Sequence, residues 1–220
     1  MSPSYETTIR VLPDKKTHFP LIDIPDIGTL TLWPVTKIQF EMFMIQTKAY
    51  GDTWYDEVLQ CNPRISYHRV TKMNYERLFI TGVYPDEVLS FSKWFGDGYR
   101  IPTVNEWRKA YTSLSSLNGE LEMPEDLSEP AETIWKKIHG FPETSLSLTK
   151  FSLMQWGTVE WVMKNEEEFA GIGHPRHEFK CNCSNPLTDL VEKIKKNTTY
   201  PRKGYRHCGF RLIKGNCHDE

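Results

Sequence analysis

No apolar run in this chain approaches the ~20 residues that a membrane-spanning helix needs, so no membrane association is expected. The opening stretch, MSPSYETTIRVLPDKK, mixes acidic, basic and polar residues without an apolar core. It therefore does not have the form of an export signal. An excess of one charge is also lacking: 27 Lys and Arg against 29 Asp and Glu leave a net charge of −2. A dedicated nucleic-acid binder carries a strong basic excess, so that class is disfavoured. Cysteines are few and odd in number, five in 220 residues. Without an export signal they read as reduced thiols of a cytoplasmic protein rather than a disulfide framework. A chain of this length buries roughly 70% of its unfolded surface and needs no covalent staples. Internal repeats, low-complexity tracts and Gly/Ser linkers are missing as well. The expected organisation is a polar lead-in over 1–18, one domain over 19–214 and a short tail over 215–220.

Large rings, by contrast, are abundant: 13% of the residues are Phe, Trp or Tyr, with seven Trp. Such a composition suits a fold with modest regular structure held by aromatic packing. Phe19, Leu21, Ile22 and Ile24, then Ile27, Leu30, Leu32 and Trp33 around Gly28, alternate as a strand or hairpin does. Thr36 and Gln39 have the spacing of a capping box. Val35, Ile38, Met42 and Ile45 follow as a predicted buried stripe, with Phe40 and Phe43 beside it. Residues 47–80 read as turn-rich. A second helix is predicted from Pro85, with Val88, Phe91 and Phe95 on its apolar face and the Gly-Asp-Gly at 96–98 ending it. A third opens at Thr103, with Glu106 closing another capping box and Trp107, Ala110 and Tyr111 turned inward. The acidic run 119–132 reads as a solvated loop. LTDLVEKIKK (187–196) reads as a short amphipathic helix. Helices gathered early and short strands late predict an α+β fold.

Three landmarks recur in a fixed order: PVTKIQFEMFM (34–44), YPDEVLSFSKWFGDGYRIPTVNEWRKAY (84–111) and MQWGTVEWV (154–162), with CGFRLI (208–213) after them. In that order they resemble the formylglycine-generating enzyme (sulfatase-modifying factor) family over nearly the whole chain. The resemblance implies an irregular, C-type-lectin-like α+β fold with short antiparallel strands and two to three main helices. It assigns structural roles to Thr36, Arg100, Pro102, Thr103, Glu106 and Trp107, and to Gly209, Phe210 and Arg211. Arg100 and Pro102 would lead into the capped helix and Trp107 and Trp161 would anchor the core. Gly209 would allow close backbone approach, and Arg211 would make an ion pair or carbonyl contacts. This fold hosts unrelated functions, so it does not by itself assign one.

The resemblance also implies a copper-binding cysteine pair about fifteen residues before the terminal Gly-Phe-Arg, where soft thiolates hold Cu(I). Here those positions fall around Leu190 to Ile194 and hold no cysteine. Without the pair no catalytic residue is assigned, and the expected reading is a non-catalytic recognition or regulatory protein. It would bind a protein or peptide through a loop-rich C-terminal face. The expected contacts are Trp156 and Trp161, with Lys193, Lys195, Lys196, Arg202, Lys203, Tyr205 and Arg206, since Trp, Tyr and Arg supply most interface energy. Between Lys193 and Lys214 eight basic residues occur without an acidic one. That strip suits an acidic protein surface better than a phosphate backbone, given the balanced charge of the whole chain.

Two alternatives remain at this level. His174, His177, Cys181 and Cys183, with Cys208 brought near by strand pairing, offer ligands of the types that zinc accepts. On that set a copper- or iron-dependent oxidative modifying enzyme is the second reading, although Pro175 limits how the imidazoles converge. A third is a ligand-display protein of the kind that diversity-generating retroelements produce. No cofactor is the first expectation, with zinc, copper or iron tied to the His/Cys cluster.

Overall fold

The computed structural model describes residues 9–48, 51–63, 66–71, 74–115, 121–140, 158–173, 185, 187–191, 202 and 205–215. The apolar alternation near the start folds as expected. Strands β1 (Arg10–Pro13), β2 (Pro20–Ile24) and β3 (Gly28–Thr31) form an antiparallel meander, with Ile22 opposite Leu30 in register. Both of those side chains are fully buried, as strand period and a one-sided core require. The β2–β3 turn passes through Asp26 at φ 63°, a conformation that Asp tolerates better than most residues. The lead-in expected over 1–18 is corrected here. β1 lies inside it, and Asp14 and Thr17 are buried, with the Asp14 carboxylate accepting from both the backbone and the hydroxyl of Thr17.

Helix α1 (Lys37–Thr47) begins on the predicted box: the Gln39 N–H donates to Thr36 Oγ1 at 3.2 Å, and the Thr36 N–H donates to Gln39 Oε1 at 3.0 Å. Its buried face is Gln39, Phe40, Phe43 and Met44; of the predicted stripe Val35 is buried ahead of the helix, Ile38 and Met42 are half-buried, and Ile45 is 59% exposed. The rings decide the rotation. Phe40 stacks on Phe91 at 5.6 Å and meets Phe210 edge-on at 6.2 Å, which turns Ile45 outward. Helix α2 (Gly51–Cys61) occupies a segment read as turn-rich. Helix α3 (Pro85–Phe95) starts with Pro at its first position and stops at Gly96, whose φ of 87° suits glycine. Helix α4 (Val104–Ser115) follows the Thr103–Glu106 box, and α5 (Glu129–His139) emerges from the acidic run. The described residues thus hold five α-helices, not the expected two or three.

Strands β4 (Val159–Met163), β5 (Phe169–Gly173) and β6 (Cys208–Phe210) form a second sheet in the order β5-β4-β6, with the β4–β6 pair parallel. The final strand β7 (Ile213–Gly215) returns to the first sheet beside β3, giving the order β1-β2-β3-β7. Strands therefore occur at both ends of the sequence, which corrects the helices-first reading while leaving the class α+β. At 187–191 the chain makes a turn and then an antiparallel bridge from Val191 to Gly171, so the helix expected from 187 does not start there. Two apolar clusters share the interior. One surrounds Trp107, Trp33 and Trp135, and the other holds Phe40, Phe91, Trp161 and Phe210.

Candidate functional site

β4 and β6 run in parallel with Glu160 opposite Gly209, which sets the carboxylate near the Arg211 guanidinium. Both residues are buried, at 1% and 0% exposure. A charge so placed needs a partner, because an unpaired one costs several kcal/mol. Arg211 supplies a two-point contact through Nε and Nη2, the latter 2.8 Å from Glu160 Oε1. Its Nη1 donates to the Leu32 carbonyl at 3.2 Å, tying β6 to the first sheet. Trp107 donates its indole N–H to Glu160 Oε2 at 2.9 Å, so α4 is anchored on the same carboxylate. Trp107, Phe210 and Arg211 are each fully buried here. At Gly209 a Cβ would lie 2.8 Å from the Ile80 carbonyl oxygen, a contact that only glycine avoids.

Arg100 and Glu106 form a two-point pair at 2.7 and 2.9 Å, and Thr103 donates to the same carboxylate through N–H and hydroxyl. Partial burial alone would raise the Glu106 pKa. The guanidinium and the Thr103 hydrogen bonds outweigh it and bring the value down to about 2. The Pro102 carbonyl accepts from the Met163 N–H at 2.9 Å, which joins the entry of α4 to the end of β4.

The expected partner-binding residues divide in two. Trp156, Lys193, Lys195, Lys196 and Lys203 lie outside the described residues. Of the others, Trp161, Arg202 and Tyr205 are interior and are corrected as contacts. Trp161 donates its indole N–H to the Val83 carbonyl at 3.0 Å, as an anchor does. Arg202 is 6% exposed and contacts both Glu87 oxygens, at 2.6 and 2.9 Å, with its guanidinium 4.4 Å above the Tyr84 ring. Trp54 donates to the same Glu87 carboxylate. Tyr205 packs edge-on against Tyr84 at 5.0 Å. The buried Glu87 carboxylate, more than a hundred positions away in the chain, draws Arg202 inward. Arg206 is exposed and donates to the His207 ring at 3.0 Å.

His174, His177, Cys181 and Cys183 also lie outside the described residues. Cys208 is described: it is 2% exposed, and burial pushes its thiol pKa far up. A thiol held protonated is neither a nucleophile nor a metal ligand as it stands. Among the described residues no three His, Cys, Asp or Glu side chains are grouped to hold a metal ion.

One feature escaped sequence reasoning. Between α1, α2 and the 3-10 turns at Tyr67–Arg69 and Tyr75–Leu78 lies a cavity of about 220 Å³ with mainly apolar walls, including Met44, Val58 and Ile80. Lys37 lines it, and its Nζ donates to the Pro63 carbonyl at 3.1 Å. Burial, then the neighbouring Arg77 charge, draws the Lys37 pKa down to about 8 against the opposing pull of Glu76. The sequence signal was a cation in the first turn of a helix, where the dipole disfavours it. Comparison of the chain with protein-family models, with curated proteins and with solved structures yields no match.

Proposed function

We propose that this chain is a non-catalytic recognition protein of the cytoplasm, on a lectin-like scaffold of the formylglycine-generating-enzyme type, that binds an acidic protein or peptide partner. The observation that carries the reading is Cys208: the cysteine inside the terminal landmark strand is buried and its thiol stays protonated. The other chemistry-bearing groups at the described landmarks, Glu160, Arg211, Arg100 and Glu106, are engaged in holding elements together. That leaves recognition as the use for the scaffold. The basic run 193–206 supplies the complementary charge, and Arg206 is the exposed member of that run among the described residues.

Fluorescence anisotropy with an Asp/Glu-rich peptide tests the proposal. Saturable binding that weakens with salt, and that is lost in the K193E/K195E/K196E/K203E variant, is expected. Binding unchanged in that variant, absence of binding, or oxygen uptake when the protein is given copper and a cysteine peptide contradicts it.

A further inference from the structure

The first position of α1 breaks the rules that the rest of the helix obeys. The positive end of a helix repels a cation, yet Lys37 sits directly after the Thr36 cap. It is half-buried at the edge of an apolar cavity, which also penalises charge, and Arg77 adds like-charge repulsion from the neighbouring 3-10 turn. If only the aliphatic stem mattered there, Met or Leu would fill the place without these costs. Local rules broken in this concentrated way mark positions kept for something other than stability.

The amine itself is what the position offers. Among the described residues, Glu41 on α1, Glu76 and Arg77 on one turn and Tyr67 on the other are the charged and titratable groups around it. The Tyr67 hydroxyl is committed to Glu129 at 2.6 Å. A lysine desolvated against apolar walls keeps a larger neutral, nucleophilic fraction near physiological pH than an exposed lysine does. The space beside it is small. At about 220 Å³ it falls below the ~300 Å³ at which drug- and cofactor-sized sites begin, but above the ~150 Å³ that suffices for benzene.

We propose that Lys37 and this cavity form a binding site for a small apolar aldehyde, held as a reversible imine on the Lys37 amine. The neutral amine adds to the carbonyl carbon, the nitrogen gives up its two protons, and the carbonyl oxygen leaves with them as water. A C=N bond replaces the C=O bond, with no change of oxidation state overall. Met44, Val58 and Leu78 then cover the apolar body of the ligand, and their contact with it holds the imine against exchange. The site is independent of the acidic-partner reading above.

The test uses the full chain with benzaldehyde and cyanoborohydride near neutral pH, followed by peptide mass analysis. Lys37 is expected to be benzylated about tenfold faster than the exposed Lys15 and Lys93, reflecting its larger neutral fraction and the binding of the ring beside it. Leu59→Trp fills the cavity from a half-buried wall, and Ser66→Trp narrows it from an exposed position that does not contribute to the core. Each is expected to abolish the preference, and whichever variant keeps the native circular dichroism decides the matter. Equal rates at Lys37, Lys15 and Lys93, or a preference that survives the filled cavity, overturns the assignment.

Discussion

The β4–β6 interface and the first turn of α1 treat a cation in opposite ways. At the interface Arg211 is fully buried, and its guanidinium meets a carboxylate and a carbonyl, the carboxylate accepting in turn from the Trp107 indole. In the first turn of α1 the half-buried Lys37 faces a helix dipole, an apolar cavity and a second cation, with a carbonyl and the weaker pull of Glu76 as compensation. The first arrangement makes the charge part of the scaffold. The second leaves an amine poised for chemistry. Residue type alone does not distinguish them; what the surroundings do to the charged form does.

The largest expected effect breaks the matched side. Arg211→Met strands the Glu160 carboxylate in the core and is expected to cost about 3–5 kcal/mol in urea unfolding. Adding Glu160→Gln, so that no charge remains unpaired, should recover much of that loss. If the single variant is near neutral, Glu160 and Arg211 are not the keystone described here.

The mismatched side has a smaller and oppositely signed signature. With a folded pKa near 8 against an ordinary value of 10.5, the unfolded chain binds more protons at Lys37 than the folded one between those limits. Stability attributable to this group therefore rises with pH from about 8 to 10.5, by about 1 kcal/mol after screening at its solvent side. Lys37→Met is expected to stabilise the protein near neutral pH and to flatten that limb of the pH–stability curve. A destabilising Lys37→Met would place the residue on the scaffold side of the comparison.

Glu106 lies between the two cases. Its folded pKa of about 2 is below the ordinary 4.5, so its contribution is present above the higher value and is lost as pH falls towards the lower. Because Arg100 is 47% exposed, the effect is about 0.5 kcal/mol. Glu106→Gln should remove that part of the acid limb in urea unfolding, and an unaltered acid limb would mean that the pair contributes nothing.

How much of this was legible beforehand follows the range of each interaction. The capping boxes at Thr36–Gln39 and Thr103–Glu106 are three-residue signals and fold as read. Helix α5 carries a legible stripe, Ala131, Ile134, Trp135 and Ile138, but its first turn is acidic and merges with the loop before it. Those same acids suit a helix N-terminus. Helix α2 begins Gly-Asp-Thr-Trp-Tyr, a run with weak helix preference, and tertiary packing of Trp54 and Val58 overrides it. The burial of Arg202 was not readable at all, since the basic run around it looks solvated and Glu87 belongs to a distant helix. The Lys37 site needed the cavity before the misplaced cation acquired meaning.

The most direct test of the account is the native-state reactivity of Cys208 towards a thiol-alkylating reagent, followed by peptide mass. With the thiol buried and protonated inside β6, modification should proceed only as fast as the protein unfolds, and should accelerate in step with unfolding as urea is added. Rapid alkylation of Cys208 in the folded protein, at the rate of an exposed cysteine, would contradict the claim that the landmark strand is scaffold.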